Sequence, residues 1–225
     1  MTWDRWIRTV EIEPSLYAAD FSRLGDQVES LLRAGARIFH FDIGDGHFVE
    51  PITVGPVVLH SIEAMIHREG GAVDCHLMVD DPEHYFGALQ SAGADSVTFH
   101  LEAVQDPPAL AARAKARGFQ VGLAVNPETS VEDVPPRVEG FDFVLCMSIH
   151  PGYSGQEFMP EALERITWLR SALPERMHLQ VDGGITNQNV RSVYDAGADL
   201  IVAGTAIFGM EDLPRAYRRL VQELA

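Results

Sequence analysis

The ten residues Phe39–Phe48, F-H-F-D-I-G-D-G-H-F, place His40 and Asp42 two positions apart in what reads as the end of a buried strand. That spacing puts both side chains on one face of an extended chain. Burying an imidazole or a carboxylate there costs free energy unless a partner is supplied. Other short apolar runs close in the same way: His76, His100, Asn126, Met147 and Asp182 stand at their ends, and Gly204 and Thr205 follow the last one. If those ends meet, His40, Asp42, His76 and Asp182 offer two nitrogens and two oxygens to one divalent ion. Such a set suits zinc, iron, manganese or cobalt rather than calcium. The competing reading makes each of the four an ordinary core or rim residue with a hydrogen bond, and the residue types alone leave both open. His47, His60, His67, His84 and His178 are read as structural, because they fall in helices, in connecting loops or at the start of a strand.

A second chemical signal is glycine. The turns P-G-Y-S-G-Q after Met147, D-G-G-I-T after Val181 and A-G-T-A-I-F-G after Val202 fall late in the chain, one after another. Glycines let backbone N–H groups approach a ligand closely, and such turns bind phosphate without any lysine. They are also ordinary turns between a strand and a helix. Three in succession, in an acidic chain, favour the phosphate grip.

These residues need elements that bring them together. Short apolar runs at 9–13, 38–42, 73–77, 96–100, 120–123, 143–147, 178–181 and 200–203 read as strands. Amphipathic stretches near 21–34, 57–68, 83–92, 108–117, 131–138, 160–172, 188–196 and 213–224 read as helices. The phrases R-A-G-A-R, S-A-G-A-D and D-A-G-A-D recur where a helix gives way to a strand, with the glycine at the helix end. Eight strand-helix units predict an α/β fold, a closed (β/α)8 TIM barrel forming a single domain over 1–225, with all strand ends around one mouth. An open doubly wound sheet is the runner-up. Against it, no G-x-G-x-x-G follows the first strand, which runs on as I-E-P-S-L-Y.

Composition removes several function classes. With 17 Lys plus Arg against 33 Asp plus Glu, the formal net charge is -16. No basic patch is available for nucleic acid or an anionic membrane. No apolar run is long enough to span a bilayer and no apolar leader opens the chain, so a soluble, cytoplasmic protein is expected. Cys75 and Cys146 sit in separate apolar runs, as buried thiols in a reducing compartment would. The one lysine, Lys115, falls on an outer helix, which leaves covalent lysine catalysis without a candidate.

The segments I-E-P-S-L-Y-A-A-D-F-S-R-L-G, H-F-D-I-G-D-G-H-F-V, D-C-H-L-M-V, V-T-F-H-L-E-A, M-S-I-H-P-G-Y-S-G-Q, V-D-G-G-I and V-A-G-T-A-I-F, in this order and spacing, resemble the ribulose-phosphate 3-epimerase family over nearly the whole chain. The resemblance implies a metal-dependent (β/α)8 isomerase that inverts C3 of a ketose phosphate, D-ribulose 5-phosphate to D-xylulose 5-phosphate. Two aspartates move the protons, through a metal-stabilised cis-enediolate. It implies one divalent ion per subunit on His40, Asp42, His76 and Asp182, with Asp42 and Asp182 as the acid/base pair. Ser15, His76, Met78 and Met147 would meet the substrate, and Gly152, Gly155, Gly183, Gly184, Gly204 and Thr205 would surround its phosphate. Family members are dimers or hexamers, so a homo-oligomer is expected, with Ile52–Val54 and Phe158–Met159 as apolar contact candidates.

The match has departures. Where the family reads H-V-D-V-M-D-G-H-F-V-P-N, this chain has Gly44 for the methionine and Glu50-Pro51 for Pro-Asn. Glu13 and Tyr17 alter the usual I-A-P-S-I-L, and His150 takes the place of asparagine in V-N-P-G-F-G-G-Q. These positions are expected at the mouth. There Gly44 would open room for a larger sugar, and Glu13 would need a partner such as His150. They keep an allulose-6-phosphate 3-epimerase as an alternative. A catalytically silent barrel that binds or scaffolds is the alternative of another class, separated by its metal content.

Overall fold

A computed structural model describes residue 7 and residues 9–224. Eight parallel strands, β1 (Glu11–Pro14), β2 (Ile38–Gly44), β3 (Ala72–Met78), β4 (Ser96–His100), β5 (Gln120–Val125), β6 (Phe143–Met147), β7 (His178–Asp182) and β8 (Leu200–Ala203), lie in the order β1-β8-β7-β6-β5-β4-β3-β2. A parallel bridge between Ser15 and His40 joins β1 to β2 and closes the ring. The barrel expectation holds and the open sheet is excluded.

Around it run α1 (Leu24–Ala34), α2 (Pro56–Arg68), α3 (Pro82–Ala92), α4 (Pro107–Ala116), α5 (Ala162–Ala172), α6 (Val190–Asp195), α7 (Thr205–Phe208) and α8 (Leu213–Glu223). Local signals start three of them: the side chains of Asp81, Asp106 and Asp212 cap the first turns of α3, α4 and α8, each with a proline in that turn. One predicted helix is absent. Residues 131–138 form two 3-10 turns, Val131–Asp133 and Pro135–Arg137, because Pro135 and Pro136 remove two N–H donors in the middle of the stretch. Conversely, the short α7 follows β8 directly.

Alternation along each strand divides the core. On β2, Phe39, Phe41 and Ile43 pack outward under the helices, while Ile38 joins Ala72, Phe143 and Leu200 in an apolar plug inside the barrel. Above this plug the interior is polar: Glu13, His40, Asp74, Ser96, Thr98 and Gln180 are all fully buried. The sheet thus presents a hydrophobic outer face and a charged inner one, and the charged one leads to the mouth.

The recurrent A-G-A phrase has a double use. Its glycines take left-handed backbone, with φ of 112° at Gly35, 86° at Gly93 and 116° at Gly197, which ends the helix. In the two copies that end in aspartate, at Asp95 and Asp199, that residue staples the sheet. Asp199 donates its N–H to the Leu179 carbonyl (3.0 Å), and its side chain accepts the Leu179 N–H (2.8 Å). Asp95 does the same to Val73, and Asp142, in a looser version of the phrase, to Val121. Each also holds a basic side chain: His67 on Asp95, Lys115 on Asp142 and His178 on Asp199. Lys115 is thereby committed to the face of the barrel remote from the mouth.

Replacing Asp199 by Ala leaves the Leu179 N–H without its acceptor, at a cost of about 1–3 kcal/mol. The urea midpoint should fall accordingly while metal binding at the opposite end is retained, and Asp199→Asn should lose less.

Candidate active site and metal centre

The parallel register of β2 and β3 places His40 beside Asp74 and Asp42 beside His76. The strands carry inverted words, H-x-D next to D-x-H, so each imidazole meets a carboxylate on the neighbouring strand. His40 Nδ1 lies 2.9 Å from Asp74 Oδ2, and His76 Nδ1 lies 3.1 Å from Asp42 Oδ1. Asp182, at the end of β7, completes the group. Donor atoms of His40, Asp42, His76 and Asp182 all lie within 4.8 Å of one another.

The residues fit a divalent transition ion. With the Nδ1 proton of His40 directed to Asp74, the Nε2 lone pair faces the cluster. That atom is buried without a hydrogen-bond partner, 3.3 Å from Asp42 Oδ1. On the far side of His76, Nε2 lies 2.8 Å from His100 Nε2, and His100 Nδ1 lies 3.4 Å from Glu102. A proton on His76 Nε2, donated to His100 Nε2, leaves the Nδ1 lone pair free for an ion held beside Asp42. Both imidazoles are therefore oriented from behind, as metal-binding histidines are.

Electrostatics separate the two carboxyls. Burial alone would raise Asp42, but His40 and His76 outweigh it and hold its carboxyl far below the usual range. Ser15 adds a donor, its Oγ 2.7 Å from Asp42 Oδ2. Asp182 is pushed up to about 7, by burial and by the negative charge of Asp42. Burial pulls His40 down, yet Asp42, Asp74 and Glu13 outweigh it and raise it well above the ordinary imidazole value in the metal-free protein. The carboxylates of Asp42, Asp74 and Glu13 thus favour positive charge at this position.

The opening above the cluster is lined by Ser15, Asp42, Asp182, Met78 and Met147, with Tyr17 at its rim. Gly152, Gly155, Gly183, Gly184, Gly204 and Thr205 line the same opening, so the three late turns do converge. His76 is the exception among the expected contacts: it is fully buried behind Asp42 and does not face the opening. Gly183 (φ 126°) and Gly184 (φ 64°) need left-handed backbone, and a Cβ would come within 2.4 Å of Ile149 and of the Phe158 nitrogen, respectively. Only glycine permits that approach.

Residues 11–208 match the model of the ribulose-phosphate 3 epimerase family. The chain belongs to this family. The ribulose-phosphate 3-epimerase of Schizosaccharomyces pombe is 42% identical over 198 residues, covering 88% of this chain and 86% of the relative. That of Escherichia coli is 36% identical over 217 residues, covering 95% and 96%. Among solved structures, a 3-hexulose-6-phosphate synthase superposes with a TM-score of 0.73 at 20% identity, over 96% of this chain and all of that one. At that identity the likeness shows the fold alone.

Against the family pattern, the structure corrects the expected consequences of two departures. Gly44 opens no room: a Cβ there would come 2.8 Å from the Pro51 carbonyl and 2.9 Å from Val49, so the following loop already fills the space. Thr53 fixes that loop, donating to the Asp42 carbonyl and accepting from the Gly44 N–H. Glu13 does not stand at the mouth with His150. It is fully buried inside the barrel, with Gln180 donating to it at 2.7 Å, while His150 pairs with exposed Glu128 at 2.6 Å. Phe158 packs against the core rather than standing free as a contact. Asp74, Gln180 and Glu102 are not among the residues expected from the sequence, whereas His100 is expected at a strand end; the inverted D-x-H at 74–76 is the signal for the first.

The Asp182 shift gives a signed prediction for metal-free protein. A carboxyl raised from its ordinary value to about 7 keeps its proton in the folded state while the unfolded chain has already ionised. Its contribution is present below about pH 4 and is lost as pH rises through about 7. Relative to Asp182→Asn, the wild type should lose stability between those limits, read as urea midpoints that diverge in favour of the variant at pH 7.5.

Proposed function

We propose that this protein is a metal-dependent isomerase that inverts C3 of a ketose phosphate, interconverting D-ribulose 5-phosphate and D-xylulose 5-phosphate. The observation that carries the proposal is the pair Asp42 and Asp182. The two come from β2 and β7, converge on one opening, and are pushed in opposite directions by their surroundings, Asp42 down and Asp182 up. Inversion requires a proton to leave one face of a carbon and another to arrive on the opposite face. One anionic and one protonated carboxyl supply that.

A divalent ion held by His40, Asp42, His76 and Asp182 supplies, when bound, positive charge against the oxygen that becomes anionic as C3 loses its proton. Zinc, iron, manganese and cobalt all suit the donor set. Asp42 acts as the base, its Oδ2 held toward the opening by the Ser15 hydroxyl. Asp182 returns a proton to the other face of the planar enediolate, and the two exchange roles in the reverse direction. Met78 and Met147 wall the reacting carbons with thioethers that neither titrate nor compete as donors. Backbone N–H groups of the Gly183–Gly184 and Gly204–Thr205 turns, with the Gly152–Gly155 loop, receive the phosphate.

The pentulose is favoured because the departure that argued for a larger sugar, Gly44, leaves no added space. An aldolase mechanism has no lysine to use, since Lys115 is bound to Asp142. None of the described helices is long and apolar enough to cross a membrane. The same reading makes the protein a cytoplasmic homo-oligomer, to which exposed Ile52 and Val57 offer apolar contact surface.

Two measurements test the assignment. Asp182→Asn should lower epimerisation of ribulose 5-phosphate by about two to four orders of magnitude. It should still exchange the C3 hydrogen of one epimer, and not the other, with solvent deuterium; turnover at the wild-type rate would end the two-base scheme. Chelation should abolish activity and readdition of a divalent ion restore it, with the unphosphorylated pentulose a far poorer substrate.

A further inference from the structure

Glu13 is a fully buried acid with no part in the chemistry above. It stands where the family pattern has alanine, inside the barrel and below the metal ligands. Its Oε2 lies 3.8 Å from His40 Nδ1, too far for a hydrogen bond. Its actual partner is Gln180, whose side-chain nitrogen donates to Glu13 Oε2 at 2.7 Å and to Asp74 Oδ2 at 2.8 Å. Asp74 Oδ2 is also the acceptor for His40 Nδ1, and Asp74 Oδ1 accepts from Ser96.

Both hydrogens of the Gln180 amide are thus committed to carboxyl oxygens. Its own carbonyl oxygen is buried without a partner, as is Glu13 Oε1. Buried orphans of this kind are costly. The arrangement therefore favours one orientation of the amide over full hydrogen bonding. In the flipped orientation the Gln180 carbonyl would face the Asp74 carboxylate and repel it. Glu13 supplies a second acceptor on the nitrogen side, so the flip would sacrifice two bonds instead of one. The acceptor role survives either protonation state, because Oε1 is the oxygen free to carry a proton.

We propose that Glu13 is a positioning residue for the metal ligand His40. By accepting one hydrogen of Gln180 it holds the other on Asp74, and Asp74 keeps His40 in the tautomer and orientation that present Nε2 to the ion. The inference rests on the metal reading of the His40 cluster, and it makes Glu13 a determinant of metal affinity rather than of substrate choice.

The test is metal binding itself, with no turnover involved. Metal-free wild type, Glu13→Gln, Glu13→Met and Gln180→Met are checked for native circular dichroism. They are then titrated with Co²⁺, followed by its visible spectrum, and with Zn²⁺ in competition with a chromophoric chelator. Glu13→Gln keeps an acceptor oxygen and should bind within about threefold of wild type. Glu13→Met keeps the bulk without the acceptor and should bind at least about tenfold more weakly, with an altered Co²⁺ spectrum. Gln180→Met should show a similar loss, and the double variant Glu13→Met/Gln180→Met should add little to either. Glu13→Met at wild-type affinity, or Gln and Met variants equally impaired, would overturn the proposal. If Glu13→Met does not fold, Gln180→Met binding as tightly as wild type overturns it instead. A wild-type protein that takes up no divalent ion would sink the metal reading, a result distinct from failure of the Glu13 variants alone.

Discussion

The site depends on one backbone constraint, the register between β2 and β3. In a parallel pair, sliding one strand by a single residue sends every inward side chain outward. Here the register sets His40 against Asp74 and Asp42 against His76. That register is held from the apolar side, where Phe39, Phe41, Val73, Cys75 and Leu77 pack outward into the main core. The hydrophobic face fixes the polar one. No interaction within the polar cluster has to choose the alignment, so its members can be arranged for a cation and for proton transfer.

From that alignment follows an asymmetry between two chemically identical groups. Asp42 has His40, His76 and Ser15 around it, and remains anionic although it is buried. Asp182 arrives from β7 with Asp42 as its charged neighbour, and the same low-dielectric surroundings push it toward the protonated form. Two carboxyls a few ångströms apart resist double ionisation, and the one with more donors keeps the charge. A base and an acid therefore emerge from placement, without any difference in residue type.

Much of this was legible in the sequence because the barrel writes its inward positions at a spacing of two. The eight strands, the four metal-set residues and the glycine turns could all be read from run ends and turn residues. The helix expected at 131–138 fails at Pro135 and Pro136, whose missing N–H groups break what the amphipathic spacing suggests. Depth was the other quantity that spacing did not show. Ser15 and Glu13 lie two apart on the same inward face, yet one meets the opening and the other lies in the closed interior. Alternation tells which side of a sheet a residue faces, and only the tilt and stagger of the closed ring tell how far down it sits.

Depth also changes what a departure from the family pattern means. A replacement at the mouth meets substrate and water, so its effect is on selectivity. One in the interior meets only other side chains, and acts on substrate only through them. Gly44 shows the first kind cancelled, since Val49, Pro51 and Thr53 close over the missing side chain and the wall is rebuilt from the loop. Glu13 shows the second kind. A buried acid beneath the His40–Asp42–His76–Asp182 cluster is tolerated because Gln180 spans it to Asp74, and removing either end would leave the remaining groups desolvated and unpaired. Glu13, Gln180, Asp74 and His40 thus form one connected run of buried polar side chains, so a change at one end is felt through the others.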